Sequence, residues 1–141
     1  MGSFARCAGI AVALQLAATS AHAQNNEPVR LVWSSDAAAT QACASADAVR
    51  ADVSSRLGRS PFTETNPRAS SLEVAVSRSR SAWTAQLVLR AGDGALRGSR
   101  RVESRAADCR SLASATALAI ALMIDPELLL REPPTEPPPA E

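Results

Sequence analysis

Residues 72–105 read LEVAVSRSRSAWTAQLVLRAGDGALRGSRRVESR, and this stretch decides the fold. Apolar and polar residues alternate along three runs, at 72–77, 83–90 and 96–105, with the period of two that half-buried strands show. The Gly92-Asp93-Gly94 cluster between the second and third runs predicts a hairpin turn. The sequence therefore predicts an antiparallel meander of three strands.

The third run carries charge on both of its faces. Arg100 is in phase with Leu96 and Val102 on the apolar face, where a buried guanidinium needs a partner. Three interpretations of Arg100 are open: an ion pair with Asp108 or Asp125, an anion site for a phosphate or carboxylate, or simple exposure at a sheet edge. The opposite face of the run carries Arg97, Ser99, Arg101, Glu103 and Arg105.

One strand and one helix precede this meander, and a second helix follows it. Residues 29–33 alternate like a strand, and residues 40–57 repeat apolar positions at three and four, with Gly58 as the C-cap. Asp108 is the N-cap candidate of a helix whose apolar run, 112–124, is too short to span a bilayer. This order predicts an α+β fold, a two-layer sandwich with one antiparallel sheet and two helices on one face.

The N-terminus has the pattern of a secretory signal peptide over residues 1–23. Arg6 supplies the positive charge, a short apolar stretch follows, and Ala21-His22-Ala23 is a small-x-small cleavage site. We expect cleavage before Gln24 and a periplasmic or secreted protein with no stable membrane span; an uncleaved anchor is the alternative. The expected organisation is a short lead at 24–28, one domain at 29–130 and an extended Pro-rich tail at 131–141.

Cys43 and Cys109 are the two cysteines that remain after cleavage. An even number of cysteines in an oxidising compartment favours a disulfide over free thiols. Such a bond would join the beginnings of the two predicted helices. A zinc half-site and a redox pair are the alternatives, although redox cysteines normally lie two residues apart.

Residues 24–141 contain no histidine, lysine or tyrosine. This composition excludes Ser-His-Asp, Cys-His and Ser-Lys nucleophilic catalysis, Schiff-base chemistry and histidine-ligated metals. A pair of carboxylates such as Glu64 and Glu73 would still support hydrolysis if the fold brought the two together. We expect a protein that is not an enzyme and that uses no cofactor and no metal.

The balance of charge argues against nucleic acid as a partner. Residues 24–141 carry fourteen arginines and fourteen acidic residues, so the net charge gives no drive toward a phosphate backbone. The outward face of the sheet is nevertheless predicted to be rich in arginine, with Arg30, Arg90, Arg97, Arg101 and Arg105. This face is either a solvated surface or a contact for an envelope protein or an anionic envelope polymer.

Several motifs resemble those of uncharacterised small exported proteins of myxobacteria and related GC-rich Gram-negative bacteria. The shared pattern is a Trp, a Cys opening a helix that ends Arg-Leu-Gly-x-x-Pro-Phe, a Gly-x-Arg strand, and a second Cys before an Ala-rich helix ending Ile-Asp-Pro. In this chain the pattern falls on Trp33, Cys43, 56–62, 98–100, Cys109 and 124–126. The resemblance implies export and an envelope location, and it carries no activity.

Three hypotheses about function follow from these observations. The first is a non-enzymatic periplasmic interaction domain whose sheet face or Pro-rich tail contacts another envelope component. The second is a binder of a small anionic ligand, or a carboxylate-based hydrolase, with its pocket near Arg100. The third is a truncated relative of a longer envelope protein that has no activity alone.

Overall fold

The computed structural model describes residues 27–131. The predicted signal peptide and residues 132–141 of the predicted tail lie outside the described residues. The elements in chain order are β1 (Val29–Ser35), α1 (Ala37–Ala42), α2 (Ala46–Leu57), β2 (Ser70–Arg78), β3 (Trp83–Arg90), β4 (Leu96–Ser104), α3 (Arg110–Ile124) and a 3₁₀ turn (Leu128–Leu130).

The four strands form one sheet in the order β1-β2-β3-β4. β2, β3 and β4 pair antiparallel and confirm the predicted meander, and the β3–β4 turn closes between Ala91 and Ala95. β1 pairs parallel with β2, so the expectation of a wholly antiparallel sheet is wrong. The reason is the helical connection, because α1 and α2 return the chain to the end of the sheet at which β1 begins.

The single helix predicted at 40–57 is two helices. Asp36 caps α1, because its Oδ1 accepts the N–H of Ala39 at 2.7 Å, and this cap starts the helix earlier than predicted. Cys43 has an extended backbone and ends α1, and the hydroxyl of Ser45 then caps the first turn of α2. The apolar repeat continues through the break, so the period alone does not reveal it.

The helices cover one face of the sheet. α3 lies over β3 and β4, α1 lies beside β1 and β2, and α2 packs on α3. Both layers contribute fully buried side chains to the core, among them Leu72, Val74, Leu87, Val53, Leu112 and Ile120. The elements within residues 27–131 leave the other face of the sheet open, which confirms a two-layer α+β sandwich. Within residues 27–131, no helix combines the length and apolar character needed to cross a membrane.

Cys43 and Cys109 form a disulfide, as predicted. Cys43 follows α1 and Cys109 directly precedes α3, so the bond joins two points of the helix layer that lie 66 residues apart in the chain. Closing a loop of this length restricts the unfolded chain, and in the chain-entropy model this stabilises the fold by about 4 kcal/mol.

Replacing both cysteines, as Cys43→Ala together with Cys109→Ala, is expected to lower the free energy of unfolding by about 4 kcal/mol. The physical reason is the entropy that the unfolded chain regains. Urea denaturation followed by tryptophan fluorescence measures the change, and the reduced wild-type protein is the control that should unfold with the variant. A loss smaller than about 1 kcal/mol would show that the bond constrains the chain little.

Candidate functional site

The pairing of β3 with β4 contains a β-bulge near the start of β4. Leu89 pairs with Gly98 and Arg90 pairs with Leu96, so Arg97 is an extra residue without a partner on β3. Because of this extra residue, the side chains before Gly98 lie on the opposite faces of the sheet from those that simple alternation predicts. Leu96 therefore lies on the open face, 61% exposed, and Arg97 lies on the helix side. The predicted faces of Leu96 and Arg97 are both wrong for this reason.

Arg97 belongs to a polar cluster at the end of the sandwich where β1 begins. Its Nη1 donates to Glu27 Oε2 at 2.7 Å, and the Ser70 hydroxyl donates to Glu27 Oε1 at 2.8 Å. Ser70 is buried at the start of β2, whereas the side chains of Glu27 and Arg97 are 38% and 47% exposed. The cluster thus links the segment before β1 to β4 at the other edge of the sheet.

Both contacts of Glu27 favour its charged form. The hydrogen bond from Arg97, followed by the one from Ser70, holds the pKa of the Glu27 carboxyl below its ordinary value of about 4.5. Glu27 is therefore a carboxylate at neutral pH, and its charge offsets part of the charge of Arg97.

A groove runs between β4 and the C-terminal end of α3, next to this cluster. It consists of two adjoining cavities of about 150 and 340 Å³. The residues that line both cavities are Leu89, Arg97, Met123 and Pro126. The smaller cavity reaches Glu27 and Ser70, and the larger one extends along β4 to Arg100. The groove therefore has a charged wall on β4 and an apolar wall at the end of α3.

Arg100 lines the larger cavity and is exposed. Its side chain lies on the helix side of β4 as predicted, and it has the edge exposure that was one of the three interpretations, because β4 is an edge strand. The two acids considered as partners are engaged elsewhere: Asp108 accepts the backbone N–H of Arg110 at 3.0 Å, and Asp125 accepts from Arg131. Within residues 27–131, Arg100 forms no ion pair.

Arg101 and Arg105 lie away from the groove. Arg101 is opposite the exposed Gln86 on the open face, and both guanidiniums approach Glu103, at 3.6 Å from Arg101 and 3.7 Å from Arg105. The four predicted contact arginines are thus divided between two surfaces. The outward face carries one arginine fewer than expected, because Arg97 lies on the helix side.

The fold does not bring Glu64 and Glu73 together. Glu64 contacts Arg50 of α2 at 2.8 Å in the helix layer, whereas Glu73 lies on the open face, 4.0 Å from Arg90. These two residues therefore provide no pair of carboxylates for acid and base catalysis.

Several residues of the groove were not identified from the sequence. Glu27 falls in the segment predicted as a short lead, Ser70 precedes the predicted strand at 72–77, and Met123 is one of many apolar residues in its helix. Only the three-dimensional pairing brings these residues together, and no spacing in the sequence signals it.

The groove offers a guanidinium that forms no ion pair within residues 27–131, beside an apolar wall, an arrangement that binds carboxylates or phosphates through charge-assisted hydrogen bonds. Comparison of the chain with protein-family models, with curated proteins and with solved structures finds no match. The chemistry of the groove is therefore the basis for a functional proposal.

Glu27→Gln removes the ion pair with Arg97 and keeps an acceptor for Ser70. Because the folded-state pKa of Glu27 is lowered, its contribution to stability is complete above about pH 4.5 and is lost as the pH falls through the folded-state pKa. At pH 7 the variant is expected to lose about 0.5 kcal/mol of unfolding free energy, the size of a partly exposed ion pair. Urea unfolding at neutral and acid pH measures the difference.

The control is Glu127→Gln, which removes the same charge at an exposed position. It should change stability less than Glu27→Gln at pH 7. The assignment would be contradicted if the difference between Glu27→Gln and the wild type grew as the pH was lowered.

Proposed function

We propose that the protein is a non-enzymatic interaction domain of the bacterial envelope. It is exported, locked by its disulfide, and binds a carboxylate-bearing segment of another envelope component in the groove between β4 and α3. The observation that carries this proposal is the position of Arg100, an exposed guanidinium without an ion-pair partner within residues 27–131, beside Arg97 and on a groove with an apolar wall.

The chemistry of the two walls supports an anionic ligand of some length. Arg97 already has Glu27 as a partner, whereas Arg100 has no ion-pair partner among residues 27–131 and can form a bidentate pair with a carboxylate. Leu122, Met123 and Pro126 supply apolar surface on which the aliphatic parts of a ligand can pack. A segment that lies along β4 uses both walls at once.

Two features support binding rather than catalysis. Residues 24–141 lack the histidine, lysine and tyrosine that most acid–base and nucleophilic mechanisms use. The carboxyl group nearest the groove, Glu27, is held in its charged form by Arg97 and Ser70, which makes it a poor proton donor at neutral pH.

The disulfide and the predicted signal peptide support an envelope location. A disulfide such as Cys43–Cys109 persists in oxidising compartments, among them the bacterial periplasm. The predicted signal peptide over residues 1–23 provides the route of export.

A free small anion is the second candidate ligand. The smaller cavity, of about 150 Å³, has polar groups from Ser70 and Arg97 in its lining. Glu27 lines the same cavity, however, and its charge repels an anion there. An extended ligand held mainly by Arg100 avoids this repulsion and is therefore preferred.

Arg100→Ala is expected to weaken the binding of an octaglutamate peptide by about tenfold or more, because a charge-assisted hydrogen-bond pair is lost. The melting temperature should be unchanged, since the side chain is exposed and makes no ion pair within residues 27–131. Isothermal titration calorimetry at about 0.1 M ionic strength, where the screening length is about 10 Å, measures the affinity, and free glutamate serves as the small-anion probe.

Arg105→Ala is the matched control, because it removes the same charge just after the far end of β4, where the side chain is 83% exposed. Its affinity should stay within about twofold of the wild type, which is the size of a screened long-range effect. Equal losses in the two variants would show unspecific attraction and contradict the proposal. Equal affinities for free glutamate and octaglutamate would favour the small-anion candidate.

A further inference from the structure

We infer that the chain's own acidic C-terminal segment, residues 132–141, occupies the groove and competes there with the external partner. The inference rests on the proposed function of the groove. The segment reads EPPTEPPPAE, with three glutamates and no basic residue, so its charge is complementary to that of Arg100, which forms no ion pair within residues 27–131.

The turn after α3 brings the chain to the groove. Asp125 follows the last residue of α3, and its carboxylate accepts from the N–H of Glu127 and from the guanidinium of Arg131. The side chain of Leu128 packs against the core between these contacts. Pro126, the neighbour of Asp125, lines both cavities, so the segment starts next to the wall of the groove.

The segment is long enough to reach the unpaired arginine of the groove. Pro126 and Arg100 line the same cavity, and ten residues would reach about 31 Å in an extended proline-rich conformation, at 3.1 Å per residue.

The prolines determine the kind of contact that is possible. Five of the ten residues are proline, and each lacks the N–H that a strand added to the edge of β4 would need. The contact is therefore made by side chains, with a glutamate on the guanidinium of Arg100 and prolines on the apolar wall. Because the segment is tethered, its effective concentration is on the order of millimolar, so individually weak ion pairs are populated.

The test compares the full chain with a neutral-tail variant that carries Glu132→Gln, Glu136→Gln and Glu141→Gln, both with the disulfide intact. Octaglutamate is the probe. If the segment occupies the groove, the neutral-tail variant binds octaglutamate about fivefold or more tightly than the full chain, since an intramolecular competitor is removed. Adding Arg100→Ala to this variant should abolish the gain.

A matched control carries Glu64→Gln, Glu73→Gln and Glu103→Gln, three acids away from the groove. Its affinity should equal that of the full chain, and an equal gain would overturn the inference because net charge alone would explain it. The inference would also be overturned if the full chain and the neutral-tail variant bound octaglutamate equally tightly and Arg100→Ala weakened binding in both. That result would still support the proposed function of the groove. Binding by neither would overturn both proposals.

Sedimentation of the same proteins separates the two possible sources of the segment. A monomeric full chain supports occupation by its own segment when the neutral-tail variant also shows the gain in affinity. A full chain that sediments as a dimer, with a monomeric neutral-tail variant, would overturn the intramolecular assignment in favour of segments exchanged between two copies.

Discussion

The disulfide between Cys43 and Cys109 fixes one end of the helix layer, and the position of α3 on the sheet depends on this bond. It joins the chain after α1 to the start of α3. α3 then runs for fifteen residues, about 22 Å, toward the opposite end of the sandwich. There its last turn, with Met123 and Ile124, covers the sheet by apolar packing. The groove opens at this second end, so the covalent constraint and the proposed binding surface lie at opposite ends of one helix.

The chemistry of the groove depends on the fact that the helix layer does not cover the whole sheet. β4 is an edge strand, and α3 covers only part of its helix side, where Gly98 faces Met123. Past that point Arg100 meets solvent. The bulge before Gly98 adds a second guanidinium, Arg97, to the same side. Charged side chains and β-bulges also keep the exposed edge of a sheet from pairing with another chain. Arg97, Arg100 and the bulge in β4 therefore protect this edge, and the two arginines also provide the hydrogen-bond donors of the groove.

The sequence predicts the main elements well because their signals are local. Alternation in β2 and β3, the turn near Gly94 and the apolar repeat of α3 each follow from the period of the side chains. The bulge at Arg97 is different, because one inserted residue exchanges the faces without interrupting the apparent alternation.

The role of Glu27 in the site is non-local in origin, whereas the helix break at Cys43 has local causes that the apolar repeat conceals. Glu27 gains its role only through Ser70 and Arg97, which lie far from it in the chain. The break follows from caps at Asp36 and Ser45 that compete with a continuous apolar repeat. The composition of residues 24–141 excludes several kinds of catalysis. The groove, in contrast, can be located only when the register of the strands is known.

The most direct measurement is a two-dimensional ¹H–¹⁵N NMR titration of the disulfide-intact chain with octaglutamate, following backbone amides and the Nε–Hε groups of the arginines. If carboxylate ligands bind between β4 and α3, the largest shift changes fall on residues 97–100 and 122–125, with the Nε–Hε group of Arg100 among them. Changes confined to Val32, Gln86 and Val88 on the open face of the sheet, or no saturable change, would contradict a binding groove at this site.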